Sequence, residues 1–565
     1  MKSINILMVS FLLCMGCKAI KETKSKVVVA DKLSNLELQT WHQLDNHLDG
    51  IPGISLNKWY SINKTSAKHK IIVAVIDTQI DLEHEDLKGQ LWTNEKEIPD
   101  NKIDDDDNGY IDDVNGWNYL GTKSGNYVVW ANYSYVRYVR KWQPIFGDKK
   151  KEDITAEELN NYNEYLRASS KLKSERAKYE NWLNSLIYAV DFFPKSKDTL
   201  KHFFPKEDYT YEQLDSLYKI YKINDKIFRQ RRLDKDQDLG ALIDFMRVRF
   251  EQDEKTLDKV LDMKEQVDSS YNKNLNIDYN ERLFIDGATD EFKKGYGSNN
   301  VNYKIKGIRS FNTHNTEVSG IIAANRTNAI GINGFSSNIK IMPITIVPSG
   351  DEYCKDVALA IRYAVDNGAR VINMSFTQDF SVDKELVFEA IKYAEKNNVL
   401  LVHCAGNDGY DIDINPKYPT DKEYSSGSKE FSSNFINVGS ISKNLDSSFV
   451  SNFSNYGKEN VDLFAPGEEI YTTIPDNKYR FDSGTSLSGP MVSGTAALLW
   501  LHYPKLTVQE VKQIILESGT SYDIDVLVPD GEGKKIPFKE LSKSGKVLNV
   551  FNAMKMAKQM SKLKK

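Results

Sequence analysis

The sequence predicts an α/β fold in which a mostly parallel β-sheet is flanked by helices and interrupted by a large α-helical insertion. Two observations predict the sheet: short apolar runs rich in β-branched residues recur along the chain, and helix-forming stretches separate them. A third observation predicts the insertion. No glycine occurs between Gly147 and Gly240, and that stretch is dense in Lys, Glu, Tyr and Leu.

The composition is that of a soluble globular protein. The chain has 565 residues, of which 40% are hydrophobic and 27% are charged, and its net charge is −5. Aromatic residues make up 11%, which argues against extensive disorder. The near balance of charge gives no electrostatic reason to expect a nucleic-acid partner.

The first residues predict an export signal. Lys2 precedes an apolar run over residues 4–15, which is too short to cross a bilayer because a helical span takes roughly 20 residues. Gly16 followed by Cys17 resembles a bacterial lipoprotein signal, in which Cys17 becomes the lipidated N-terminus. This resemblance implies an exported protein of the cell envelope, lipid-anchored to a bacterial membrane and facing the periplasm or the exterior. An ordinary signal peptide with an incidental cysteine is the open alternative.

The strands and helices of the predicted sheet alternate along the chain. The first buried strand covers 71–76 and delivers Asp77 at its carboxyl end. Later strands are predicted over 339–347, 371–374, 399–403 and 435–438, with helical patterns over 357–366 and 384–396 between them. Strand, helix and strand in succession predict parallel pairing.

The insertion carries helix-start signals. Thr155-Ala-Glu-Glu158 and Thr210-Tyr-Glu-Gln213 both have the form of a capping box, and apolar residues at helical spacing follow each of them. We therefore expect helices after both segments.

Three polar residues stand at places where catalytic groups occur. Asp77 follows the first strand, and the carboxyl ends of parallel strands are where α/β sheets place their sites. His314 opens an apolar helix, and Ser486 starts a buried helix whose N-terminus favours developing negative charge. Each residue alone is more often structural than catalytic. Asp, His and Ser in this chain order, however, form one of the known orders of a catalytic triad.

With these segments the sequence resembles the subtilisin-like serine peptidases, over about 55–125 and 305–555. The matching motifs are Asp77-Thr-Gln, His314-Asn-Thr-Glu-Val-Ser-Gly320 and Gly484-Thr-Ser486-Leu-Ser-Gly-Pro490. The resemblance implies a subtilisin-like fold and an endopeptidase that hydrolyses peptide bonds. In the implied mechanism, Ser486 forms the acyl-enzyme, His314 takes the serine proton, and Asp77 orients the imidazole.

The same resemblance implies an oxyanion hole and a substrate-binding edge. Asn407 in Cys404-Ala-Gly-Asn407 stands where the family places its oxyanion-hole asparagine, and Gly406 lies beside it at the substrate. An edge segment that pairs with the substrate backbone is implied for Ser375, Phe376 and Thr377. The implied partner is a peptide or protein, and no catalytic cofactor is expected.

Some positions depart from the family pattern. Gln79 and Asn315 replace motif glycines, and Glu317 stands where the family often has a second histidine. None of these changes removes a catalytic group, so they predict restricted specificity. The alternative is a catalytically weakened relative that binds peptides without cleaving them.

An acidic segment predicts a structural calcium site. Oxygen donors alternate as in a calcium loop at Asp104, Asp106, Asn108, Tyr110 and Asp112. The twelfth position is Asn115, and no helical pattern ends before the loop, so an EF-hand is not expected. Crowded carboxylates repel one another unless a cation compensates them, which favours a calcium-stabilised loop over a solvated acidic turn.

The predicted domain boundaries follow from these features. They are a signal peptide over 1–16, an N-terminal anchor and lead-in segment over 17–54, the catalytic domain over 55–124 and 305–565, and the insertion over 125–304. Since the insertion separates the first two triad residues, we expect it beside the site as a lid, an exosite or a folding aid. A neutral surface decoration is the alternative. We expect a monomer.

Overall fold

The computed structural model describes most of the chain beyond its N-terminal segment. The described ranges are 33–63, 69–122, 124–285, 291–304, 313–424, 428–529 and 531–563. The predicted signal peptide and Cys17 lie outside them. Within these ranges, no helix combines the length and the apolar character needed to cross a bilayer.

The strands form one large sheet and two small antiparallel hairpins. In chain order they are β1 (Ile71–Asp77), β2 (Trp117–Asn118), β3 (Ile339–Thr345), β4 (Val371–Met374), β5 (Leu400–Cys404), β6 (Phe435–Ile441), β7 (Leu463–Pro466), β8 (Ile470–Ile474), β9 (Lys478–Asp482), β10 (Thr520–Ser521), β11 (Asp525–Leu527), β12 (Lys535–Pro537) and β13 (Lys546–Val547). The large sheet has nine strands in the order β10-β13-β7-β6-β5-β4-β1-β3-β2. Every neighbouring pair in it is parallel except β10 with β13.

Helices cover both faces of this sheet. In chain order the α-helices are α1 (Asn35–Thr40), α2 (Asn46–Asp49), α3 (Leu56–Ile62), α4 (Ser134–Phe146), α5 (Leu159–Leu200), α6 (Tyr211–Tyr221), α7 (Phe228–Asp234), α8 (Leu239–Glu251), α9 (Leu257–Ser269), α10 (His314–Ala323), α11 (Cys354–Asp366), α12 (Lys384–Lys396), α13 (Thr485–His502), α14 (Val508–Ser518) and α15 (Val550–Leu563). Alternate residues of β1 point to opposite faces. Val73 and Val75 join the core under α10 and α13, whereas Ala74 and Ile76 join the core under α11 and α12. The predicted α/β fold is confirmed.

The described part of the lead-in segment, from residue 33, packs into the core of the sheet domain. Trp41, Ile51 and Ile54 are at most 1% exposed and belong to the same apolar cluster as α13 and α15. The backbone N–H of Val550 donates to the carbonyl oxygen of Ile54 at 2.8 Å. Residues 41–54 are therefore structural parts of this domain.

The helices α4 to α9 lie in the segment predicted as an insertion. Thr210 closes a capping box with Gln213 at the start of α6, whereas α5 begins at Leu159, after the turn that Thr155 caps. The second half of α5 and the helices α6 to α9 form the distal insertion, which has its own apolar core that includes Phe192 and Phe245. A separate cluster packs α4 and α5 against Phe380, in the loop after β4.

Candidate active site

The carboxyl ends of β1, β4 and β5 and the N-termini of α10 and α13 meet at one place. Nδ1 of His314 lies 2.9 Å from Oδ2 and 3.0 Å from Oδ1 of Asp77. Because a carboxylate only accepts hydrogen bonds, Nδ1 is the donor and Nε2 is left to accept. Asp77 is 1% exposed and its Oδ1 also accepts from the backbone N–H of Thr78 at 2.7 Å. These bonds fix both the carboxylate and the ring.

Ser486 is the second residue of α13, and Gly484, two residues earlier, lies close to both Ser486 and Asn407. A Cβ placed on Gly484 would lie 2.9 Å from Oγ of Ser486 and 3.5 Å from Nδ2 of Asn407. The missing side chain therefore keeps the space between hydroxyl and amide open. The structure brings these two predicted residues together.

Asn407 is oriented by the start of the same helix. Its Oδ1 accepts from the backbone N–H of Thr485 at 2.9 Å and from the Thr485 hydroxyl at 2.8 Å. That hydroxyl also accepts from the backbone N–H of Gly406 at 3.1 Å, where the backbone has φ +101°. With its oxygen held, Asn407 presents Nδ2 as a donor beside Ser486.

Asn455 supports this loop, and we did not predict its role from the sequence. It is fully buried, its Nδ2 donates to the carbonyl of Ala405 at 2.9 Å, and its Oδ1 accepts from the N–H groups of Asp408 and Tyr410. No motif spacing marks Asn455, because it lies far along the chain from the loop that it holds.

The predicted substrate edge is tied to the helix of the serine. Oγ of Ser375 donates to the carbonyl of Ser486 at 2.9 Å, and the carbonyl of Phe376 lies 2.8 Å from Nε2 of the buried His403. The hydroxyl of Thr377 would lie 3.3 Å from a Cβ placed on Gly406. The edge after β4 and the loop after β5 thus line the same cleft.

The two residues that replace motif glycines are both fully buried. Asn315 is 0% exposed, and its backbone N–H and Nδ2 donate to Oγ1 and to the carbonyl of Thr78, each at 3.0 Å. Gln79 is also 0% exposed, and its side-chain amide finds no hydrogen-bond partner among the described residues. Asn315 therefore joins α10 to β1, directly beside the Asp77–His314 pair.

A model of the subtilase family matches residues 68–532. The chain belongs to the subtilase family. Among known subtilases, it is 31% identical to subtilisin-like protease 2 of Plasmodium falciparum (isolate 3D7), over 41% of this chain and 17% of that protein. Identity to the thermophilic serine proteinase of Bacillus sp. (strain AK1) is 38%, over 33% of this chain and 42% of that one. The chain therefore spans less than half the length of these relatives.

A solved structure of a cold adapted subtilisin-like serine proteinase is also similar to this subtilase. It is 26% identical, with a TM-score of 0.32, over 42% of this chain and 74% of that one.

Acidic groups surround the histidine of this subtilase. Burial lowers the pKa of His314, but Asp77, Glu317 and Asp482 outweigh that effect and raise it to about 9. The pKa of Glu317 is itself raised to about 7, because its burial outweighs the attraction of His314 and Arg480. Nη2 of Arg480 lies 2.8 Å from Oε1 of Glu317. The imidazole is 30% exposed, so water moderates these interactions.

Three carboxylates lie close enough to hold one metal ion. Glu97, Asp106 and Asp113 each offer an oxygen within 4.8 Å of the others. Burial raises the pKa of Glu97 and of Asp113, and the neighbouring carboxylates raise both further. Oδ1 of Asp106 is buried and has no hydrogen-bond partner in the described part of the chain. An all-oxygen set with an orphaned acceptor fits a hard cation such as calcium.

This set differs from the predicted ligands, of which it contains only Asp106. Asp104 accepts backbone N–H bonds from residues 108 and 109, Asp112 accepts them from residues 101 and 102, and Glu97 accepts them from residues 105, 106 and 112. All three carboxylates therefore fold the loop. The Asn108 amide donates to Asp113 at 3.2 Å. The Tyr110 hydroxyl pairs with Tyr119 inside the core, and the calcium-loop pattern uses the backbone carbonyl at this position. Glu97 was not predicted because it precedes the acidic run.

Proposed function

We propose that this subtilase is a serine endopeptidase that cleaves peptide or protein substrates. The observation that carries the proposal is the pairing of Asp77 with Nδ1 of His314 at 2.9 Å. Asn407 supports it, because its oxygen is bonded to Thr485 and its Nδ2 faces the space beside Ser486. The family match over residues 68–532 supports the same reaction class.

The proposed mechanism follows from these contacts. Nε2 of His314 takes the proton of Ser486 as Oγ attacks the substrate carbonyl carbon, while Asp77 stabilises the imidazolium. Nδ2 of Asn407 and the backbone N–H of Ser486 donate to the oxyanion. When the C–N bond breaks, His314 returns the proton to the leaving amine. Water, deprotonated by His314, then hydrolyses the ester and regenerates Ser486.

The proposal extends to calcium as a structural ion. Glu97, Asp106 and Asp113 would hold it, and its charge would compensate three carboxylates that otherwise repel one another. The ion would take no part in the reaction.

We also propose that the protein is exported and lipid-anchored through Cys17. Lys2, the short apolar run and Gly16 before Cys17 support this. Incorporation of a radiolabelled fatty acid in cells, lost in Cys17→Ser, is the expected result. An ordinary signal peptide would leave both forms unlabelled.

A serine-directed fluorophosphonate probe tests the reaction itself. The wild type and Ser483→Ala, which changes an exposed serine of the same segment, should be labelled, and Ser486→Ala should not. Labelling needs an activated hydroxyl, so this result identifies Ser486 as the nucleophile. A folded wild type that resists the probe would favour the alternative, a protein that binds peptides without cleaving them.

A further inference from the structure

A cavity of about 390 Å³ opens beside the proposed oxyanion hole. Thr377 of the substrate edge and Asn407 both line it. Its volume is in the range of small-ligand pockets, about 300–1,000 Å³. Under the proposed function, Asn407 binds the carbonyl oxygen of the residue under attack. The side chain of that same residue is therefore the part of a substrate that reaches this cavity.

One wall of the cavity comes from the insertion. Tyr133 and Tyr135 at the start of α4, and Lys171, Glu175 and Tyr179 on α5, line it. The rings of Tyr133 and Tyr135 stack at 5.4 Å. Nζ of Lys171 lies 5.4 Å from the Tyr135 ring centre, so this wall already holds one cation against an aromatic face.

The lysines of the cavity have carboxylate partners. Nζ of Lys417 lies 2.6 Å from Oδ1 of Asp379 and 2.6 Å from Oδ2 of Asp408. Lys171 pairs with Asp379 as well. Neither ammonium group is left to attract an anionic substrate.

The remaining polar groups favour a cation. Glu175 and Asp351 add two carboxylates to those that pair with the lysines, so the lining carries an excess of negative charge. The ion-pair partner of Glu175 is Lys178, which is 67% exposed. Gln378 lines the cavity at 4% exposure, and its Oε1 has no hydrogen-bond partner within the described ranges. A buried amide oxygen without a donor suits an incoming ammonium or guanidinium group.

We propose that this cavity selects a lysine or arginine side chain on the residue that supplies the acyl group, and that Glu175 of the insertion is a specificity-determining residue. The proposal rests on the peptidase function above. This proposal gives the insertion a role in specificity. The sheet domain carries the reacting groups, and the insertion completes the pocket that selects the substrate side chain.

Peptides that differ at one residue test this selection. With Arg, Lys, Leu or Glu in front of the cleaved bond, kcat/KM should be about tenfold or more higher for Arg and Lys. Glu175→Gln should reduce the ratio of Arg to Leu by roughly threefold to tenfold. Glu207→Gln is the matched control, since Glu207 is a similarly exposed insertion glutamate, paired with Lys197 and Lys201 and absent from the cavity lining.

Reversing the charge of Glu175 should produce a change in substrate preference that misfolding cannot explain. Glu175→Lys should raise cleavage after Glu while cleavage after Arg falls. A wild type that cuts all four peptides equally, or ratios that Glu175→Gln and Glu175→Lys leave unchanged, would overturn the proposal.

Binding separates this proposal from the peptidase function. Fluorescence anisotropy of the same peptides with Ser486→Ala measures recognition without cleavage. Suppose that the wild type reacts neither with the fluorophosphonate nor with the peptides, but the Arg and Lys peptides bind more tightly than the Leu and Glu peptides. If Glu175→Gln removes that preference, the cavity selects the side chain as proposed and only the proposed catalysis is wrong. Equal binding of all four peptides to Ser486→Ala contradicts the cavity proposal.

Discussion

The side-chain amide of Asn407 is held in one orientation, because its Oδ1 accepts two hydrogen bonds from Thr485 and its Nδ2 is left as the donor. Orientation of this kind lowers a reaction barrier without reorganisation during the reaction. The same logic applies to His314, whose Nδ1 is committed to Asp77. At the scale of single residues, Asn407 and His314 each keep one polar atom for the reaction.

Asn407→Ala should therefore lower kcat by about 10²- to 10³-fold and change KM little, because the lost bond forms mainly in the transition state. Steady-state kinetics on a cleaved peptide measure this. Asn415→Ala, at an exposed asparagine after the same loop, should keep wild-type kcat. Equal losses in both variants would mean that Asn407 only stabilises the fold.

Substitution of Glu317 should shift the pH dependence of kcat/KM. Catalysis needs neutral His314, whose pKa is raised to about 9 with Glu317 among the causes, so activity rises as the pH passes through that pKa. Glu317→Gln removes a negative charge and leaves Arg480 without this partner, and both effects lower the pKa of His314. The acidic limb of kcat/KM should move to lower pH by roughly 0.5–1 unit.

Glu83→Gln, at a carboxylate that is 74% exposed, is the control for this shift. Its acidic limb should coincide with that of the wild type. A limb that stays in place in Glu317→Gln would show that Glu317 does not act on His314.

At the scale of elements, the sequence predicted those strands and helices whose pattern is local. The strand over 371–374 and the helix over 384–396 have the predicted bounds. A continuous apolar run predicts a buried strand and an amphipathic repeat predicts a helix with one buried face, so neither prediction needs information from distant residues. The meeting of His314 with Asp77 could be expected only from motif order. The support from Asn455 and the cavity wall from Glu175 could not be predicted, because those contacts form only once distant segments fold together.

The lead-in segment is one such long-range element, and its anchor is Trp41. The side chain is 0% exposed in the core of the sheet domain, and Nε1 donates to the carbonyl of Glu469 at 3.1 Å. Trp41→Ala should lower the free energy of unfolding by about 3–5 kcal/mol, measured by urea titration. Leu36→Ala, in α1 at 70% exposure, should change it by less than about 0.5 kcal/mol. Similar small losses in both would show that the segment does not belong to the core.

The acidic loop should respond to calcium. If Glu97, Asp106 and Asp113 bind it, a chelator should lower the Tm of the wild type, and excess calcium should restore it. Asp113→Asn should have a Tm that calcium barely changes. Asp107→Asn, at an exposed position of the same loop, should keep the wild-type response. If neither the chelator nor calcium changes the Tm of the wild type, the loop binds no calcium and is a solvated acidic turn.

At the scale of the whole molecule, the chain builds two bodies with separate apolar cores. The sheet domain carries the site, and the distal insertion packs around residues such as Phe192 and Phe245. Separate cores can unfold separately, since cooperativity depends on shared buried contacts.

Phe245→Ala tests this independence. The ring is 0% exposed in the distal core, so its loss should destabilise that core by about 3–5 kcal/mol. Calorimetry should show a transition that moves to lower temperature while the remaining one stays in place, and fluorophosphonate labelling of Ser486 should persist. A single transition that shifts as a whole would mean that the two bodies unfold together.

The 42-residue helix α5 joins these two bodies. Glu175 faces the cavity, and Phe192, 17 residues further along, lies in the distal core, so roughly 25 Å of rigid rod connects them. Any tilt of the distal insertion would therefore move Glu175 and change the width of the cavity, whereas Asp77, His314 and Ser486 belong to the sheet domain and would keep their positions.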